Sequence, residues 1–264
     1  MAIKKPTIVI FDMDGTAVRH INPRLLHILE TLDNIGYRIS KFFTWLFRRG
    51  GKGRIIPLWH KNRKQPRLLV HRAMHKIRRK PVEQIVQPCP GLFTLLELFE
   101  QHQIPMALVS NGLGKGYGHD ILEKFELNKH FPVTVFREDI TKSKPSPEPI
   151  LTALQWLNLE LNENDVVWYI GDRRKDVIAA LAAKEHLPCA IVPIAFGIHA
   201  AVAIIEKNIG AEHIYMSFYE MYDDLKPMLD DNPPPPRLQV GKPSGERTED
   251  SATPERSTRR AASA

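Results

Sequence analysis

Short apolar runs alternate with helical patterns along this chain, and three of those runs end in a reactive side chain. Residues 7–11, 106–109 and 166–170 have the length and β-branched apolarity of strands buried on both faces. Residues 133–136 and 190–194 read as further strands. Between them, 92–101, 121–126, 150–157, 177–184 and 200–207 carry helical spacing, and Ser146-Pro147 offers an N-cap and a first-position proline ahead of Ile150. This alternation predicts an α/β fold, a Rossmann-like parallel sheet with helices on both faces. Ligands of such sheets bind beyond the carboxyl ends of the strands. Asp12, Ser110 and Asp172 stand at three of those ends, so one crevice would collect two carboxylates and a hydroxyl.

The run Asp12-Met13-Asp14-Gly15-Thr16 carries the sharpest chemistry. A carboxylate projecting from a strand end can attack phosphorus and form an acyl phosphate. A second carboxylate two residues on is near enough to protonate a leaving oxygen and then take a proton from water. Gly15 permits a tight exit from the strand. Asp172 and Asp176 form a second acidic pair, one at a strand end and one in the first turn of the following helix. Both can face a cation such as Mg²⁺, which takes hard oxygen ligands and keeps several waters. An Asx-turn accounts for the first run taken alone, and helix capping for the second pair. Lys144, in a Lys-Pro-Ser-Pro loop, would neutralise a phosphoryl group and its nucleophile. Ser110, with the amides of Asn111 and Gly112, would hydrogen-bond a phosphoryl oxygen. The alternating glycines Gly112, Gly114, Gly116 and Gly118 read as a mobile loop.

Taken together and in order, Asp12 to Thr16, Ser110, Lys144-Pro145 and Gly171-Asp172 through Asp176 resemble the four motifs of the haloacid dehalogenase (HAD) superfamily, over about residues 7–230. The resemblance implies a phosphatase with Asp12 as nucleophile and Asp14 as general acid/base. It puts Thr16, Ser110, Asn111 and Lys144 at the phosphate. It implies that Asp12, the Asp14 carbonyl and Asp172 hold Mg²⁺, with Asp176 in support. Asp14 favours phosphate ester hydrolysis or phosphoryl transfer, because relatives that cleave carbon–halogen or carbon–phosphorus bonds lack an aspartate there. After Thr16 the chain reads Ala17-Val18-Arg19-His20, where many capped relatives carry an acidic residue and a serine. Arg173 and Arg174 follow Asp172 where a small residue is common.

Charge divides the chain unevenly. Residues 17–88 hold 17 Lys/Arg against 3 Asp/Glu, while 89–230 hold 12 against 20. The expected organisation is a catalytic core from 1–16 and 89–230, a basic helical insertion over 17–88, and a disordered Pro-rich tail over 231–264. By the same resemblance the insertion is a cap of the phosphoglycolate-phosphatase-like subgroup. Its residues 42–49 join aromatics to arginines, which would suit a substrate-gathering cap, an anionic membrane surface or, least favoured, nucleic acid. In the plainest reading the aromatics are core and the charges a solvated face. His71 and His75 have i, i+4 spacing but no third ligand nearby. Cys89 and Cys189 are too few for a disulfide framework, and no run approaches a bilayer-spanning length, so a cytoplasmic enzyme acting on a small phosphorylated substrate is expected.

Overall fold

The structure, a computed structural model, describes residues 3–21 and 82–231. Eight strands are seen: β1 (Ile8–Asp12), β2 (Val18–His20), β3 (Val86–Pro88), β4 (Met106–Val109), β5 (Val133–Val135), β6 (Val166–Gly171), β7 (Ala190–Phe196) and β8 (Ile214–Tyr215). The described helices are α1 (Leu92–Gln101), α2 (His119–Lys124), α3 (Glu148–Leu157), α4 (Arg174–Ala183), α5 (Ile198–Glu206) and α6 (Phe218–Asp230). Six strands form one parallel sheet in the order β5-β4-β1-β6-β7-β8. The chain leaves β1 for β4 and β5 on one side, then crosses back to β6 on the other, so the strand order reverses at β1. That reversal opens a crevice at the carboxyl ends of β1, β4 and β6. The expected Rossmann-like α/β fold is the one observed.

β1 is buried at every residue because both faces of the sheet are covered. On one face, α1 and α6 enclose Phe11, which meets Phe99 edge-on at 6.2 Å and Phe131 at 5.5 Å. On the other, Ile150, Ala153 and Leu154 of α3 and Ala179, Ala180 and Ala183 of α4 pack on Ile8, Ile10 and Val167. Small residues along α4 let its buried face lie close to the strands. Pro147 occupies the N-cap of α3 rather than its first position, and the Ser146 hydroxyl accepts from the Glu148 amide at 3.3 Å.

β2 and β3 pair antiparallel, Val18 with Pro88 and His20 with Val86, outside the main sheet. Val18 and Val86 are fully buried in the same core cluster as Phe11, so the two ends of the basic segment are part of the core's packing. The segment between them (residues 22–81), including 42–49, His71 and His75, lies outside the described residues, as does the tail beyond Asp231. Among the described residues no helix is long and apolar enough to cross a membrane. Cys89 and Cys189 are both buried and unbridged.

Candidate active site

The parallel register sets Asp12 level with Val109 and Phe11 level with Ile170. Asp12, Ser110 and Asp172 therefore leave the sheet side by side. Asp12 is 2% exposed and Ser110 fully buried. Lys144 enters on the loop before α3 with its side chain wholly buried. Its Nζ forms an ion pair with Asp12 Oδ1, lies 2.8 Å from Asp176 Oδ1, and sits 5.6 Å from the centroid of the Tyr169 ring. Asn111 fixes that loop from both sides: its Nδ2 donates to the Lys144 carbonyl at 3.2 Å, and its Oδ1 accepts from the Lys144 amide at 3.0 Å. The Asn111 side chain is thereby engaged with the Lys144 loop.

Asp176, the third residue of α4, accepts from the Arg173 amide through Oδ2 at 3.0 Å while Oδ1 meets Lys144. It caps its helix and serves the cluster at once. Asp172 is approached by Arg173 Nε at 3.7 Å through Oδ2, whereas its buried Oδ1 has no hydrogen-bond partner. Thr16 Oγ1 is likewise buried and unpartnered. Gly15 holds φ at +92°, and a Cβ there would lie 2.1 Å from Asp172 Oδ2. Only glycine lets the first loop pass this close to the second acidic pair.

Asp14 is held differently. Its Oδ2 accepts from the Ser110 hydroxyl at 3.1 Å and its Oδ1 from the Tyr117 hydroxyl at 2.7 Å. Ser110 Oγ in turn accepts from the Gly112 amide at 2.8 Å. His20 Nε2 stands 3.2 Å from the Tyr117 oxygen and 3.6 Å from Asp14 Oδ1. Burial alone would lift the Asp14 carboxyl, but hydrogen bonding and charge from His20 together with the Tyr117 hydroxyl hold it down at about 2.

Asp12, Asp172 and Asp176 each offer an oxygen within 4.8 Å of the others. Lys144 is the one buried cation among the described residues; it pairs with Asp12 and Asp176, while Asp172 is reached by Arg173 from the rim of the site. Burial, offset in part by Lys144 and reinforced by repulsion from Asp176, pushes Asp12 up to about 8. Burial and then repulsion from Asp176 push Asp172 up to about 6. Crowded carboxylates that are short of positive charge, one with an orphaned oxygen, fit a hard divalent cation such as Mg²⁺.

Four residues act at the site without having been assigned a role from the sequence, and only Lys175 of them lies within a motif. Tyr117 and His20 contact Asp14, Tyr169 packs against Lys144, and the Lys175 charge acts on Asp12, Asp14 and Asp172. Lys175 could have been found from its place between Asp172 and Asp176. Tyr117 could not, because the glycines around it suggested mobility. In the structure Gly114 and Gly118 are buried against Phe136, where a Cβ would come within 2.7 and 2.2 Å of its ring. They serve close packing of a wide turn, and that corrects the mobile-loop expectation.

A family model described as haloacid dehalogenase-like hydrolase matches residues 9–187. The phosphoglycolate phosphatase of Salmonella paratyphi A is 29% identical over 111 residues, which is 41% of this chain but only 38% of that relative. Phosphoglycolate phosphatase 1 of Pseudomonas aeruginosa is 23% identical over 192 residues, covering 69% of this chain and 68% of the relative. Among solved structures, a HAD-superfamily hydrolase from Ehrlichia chaffeensis superposes with a TM-score of 0.53 at 23% identity, covering 86% of this chain and all of that one. CbbY from Rhodobacter sphaeroides in complex with phosphate gives 0.50 at 20% identity, covering 82% of this chain and 96% of that one. At such identities the structural likeness shows the fold alone, whereas the family model spans well over half of the sequence. The chain belongs to the haloacid dehalogenase-like hydrolase family.

Proposed function

We propose that this protein is a Mg²⁺-dependent phosphomonoesterase that works through an aspartyl-phosphate on Asp12. The observation that carries the reading is the meeting of Asp12, Lys144 and Asp172 at the strand-order reversal, with Asp14 two residues from the nucleophile. Asp12 attacks phosphorus as the ester P–O bond breaks, and Asp14 delivers a proton to the departing oxygen. Asp14 is ionised in the free site; the arriving phosphoryl dianion repels its charge, so that it takes up a proton from solvent and then hands that proton to the leaving oxygen. Asp14 then takes a proton from water as the water oxygen attacks phosphorus and frees Asp12. Lys144 and Ser110, with the Asn111 amide and Thr16, neutralise and orient the phosphoryl oxygens. Asp12, the Asp14 carbonyl and Asp172 would hold Mg²⁺, with Asp176 supporting. When bound, the ion supplies positive charge to phosphoryl oxygens and to the crowded carboxylates.

The substrate class is a small phosphorylated compound, and the basic insertion over 17–88 is the cap that would gather it. Phosphoryl transfer to an acceptor is the nearest rival. The test is free-phosphate release from a panel of phosphate esters, with and without Mg²⁺. Asp12→Asn should abolish release while the protein stays folded. Full activity in that variant, or phosphate passed wholly to an acceptor, overturns the proposal.

A further inference from the structure

We propose that Tyr117, backed by His20, is a positioning residue for Asp14: it anchors Oδ1 so that Oδ2 is the oxygen that exchanges protons with leaving group and water. This rests on the phosphatase reading above. The two carboxylate oxygens of Asp14 have unequal partners. Oδ1 accepts from the Tyr117 hydroxyl at 2.7 Å, while Oδ2 accepts from the Ser110 hydroxyl at 3.1 Å. Ser110 has a competing use, since the phosphoryl group needs its donor, and turning to the substrate frees Oδ2. Tyr117 has no such competitor. Its proton is committed to Oδ1, so its oxygen accepts from His20 Nε2 at 3.2 Å, and the two rings lie within 9° of parallel with centroids 6.4 Å apart.

The turn that carries Tyr117 is built to hold it. The Glu138 carboxylate accepts from the amides of Gly114 at 3.0 Å and Lys115 at 2.8 Å. The Arg137 amide donates to the Gly112 carbonyl at 2.9 Å. Gly114 and Gly118 press on Phe136 so closely that no side chain fits. From the other side, β2 supplies His20 and is pinned to β3. A hydroxyl delivered by two separately anchored elements fixes the carboxylate plane. The proton then leaves from Oδ2 to the ester oxygen as the ester P–O bond breaks and the Asp12–P bond forms. It is restored to Oδ2 from the water whose oxygen displaces Asp12.

The experiment compares the full-length protein with Tyr117→Phe, His20→Ala and His20→Gln on two esters, 4-nitrophenyl phosphate and a simple alkyl phosphate. An alkoxide leaving group needs the proton, and nitrophenolate barely does. Tyr117→Phe should lower kcat on the alkyl ester by about ten-fold or more, with KM little changed and a much smaller loss on the nitrophenyl ester. His20→Ala should follow Tyr117→Phe, and His20→Gln, which keeps a donor at the end of its side chain, should recover most of the rate. An equal loss on both esters, or a change confined to KM, overturns the proposal. A crystal structure of Tyr117→Phe gives a reading that does not depend on turnover. Asp14 should rotate with the backbone unchanged, and an Asp14 that keeps its orientation refutes the brace. Were no ester hydrolysed by the unaltered protein, the phosphatase reading would fall while this structure still decided the brace.

Discussion

Replacing Lys144 by methionine tests the electrostatics of the site without touching its shape. Methionine is nearly as long and buries readily, so the cavity stays filled and the change is chiefly one of charge. The wild-type side chain is wholly buried, paired with Asp12, and 2.8 Å from Asp176. Removing it leaves three neighbouring carboxylates with no buried cation among the described residues. Breaking one partner out of a buried pair costs about 3–5 kcal/mol. For a chain of this size each kcal/mol moves Tm by about 2–4 °C, so the expected fall at neutral pH without metal is roughly 6–20 °C. The deficit must depend on pH in a definite direction. Without Lys144, which draws it down in the wild type, Asp12 is held even further above its unfolded range. A carboxyl raised in the folded state adds stability while protonated, and loses it as pH rises. The gap between variant and wild type should therefore widen from acid to neutral pH and narrow when Mg²⁺ is added. Thermal melts followed by circular dichroism in EDTA, across that range, measure it. A deficit that is small at neutral pH, or the same at every pH, would refute the charge-crowding account.

Three further outcomes are expected. In EDTA the unaltered protein should lose stability as pH rises from about 4 to about 8, because Asp172 and Asp12 are raised to about 6 and about 8 and stabilise only while protonated. Saturating Mg²⁺ should flatten that slope and Asp172→Asn should reduce it, and a Tm indifferent to both pH and Mg²⁺ would contradict the site. Gly15→Ala should destabilise by about 2 kcal/mol or more, since it adds a strained positive φ to a Cβ only 2.1 Å from Asp172 Oδ2. The same variant should bind Mg²⁺ more weakly by calorimetry, and wild-type melting with wild-type Mg²⁺ binding would count against the close approach.

Much of the fold was legible because buried parallel strands announce themselves. The five strands and five helices expected over 7–16 and 89–207 all occur, most shifted by a few residues at their ends, while the helices expected in the basic insertion lie outside the described residues. Elements that do not bury a continuous apolar run escaped notice. β8 has two residues and β2 and β3 three each, too short for any period to show. The helix α6 was readable and went unread: Phe218, Met221, Leu225 and Leu229 follow helical spacing, and Ser217 accepts from the Glu220 amide while Glu220 accepts from the Met216 amide. At the site, Asp12 and Asp172 were legible because they stand at strand ends, and Asp14, Lys144 and Asp176 through their fixed order and spacing around those ends. Tyr117 was not, because its role depends on how a glycine-rich turn packs on Phe136, which spacing along a chain does not reveal.

The two short strands flanking the basic segment have an architectural consequence. His20 lies opposite Val86, and the Ile21 amide reaches the Ile85 carbonyl at 2.9 Å, so the chain departs from the core and rejoins it at adjoining points. A stretch attached through such a clasp can be exchanged like a cassette without reopening the sheet. Because the clasp includes His20, any pull on it arrives at the residue that steadies Asp14. Swapping the segment with a relative's should leave the core folded and yet retune the proton-handling carboxylate.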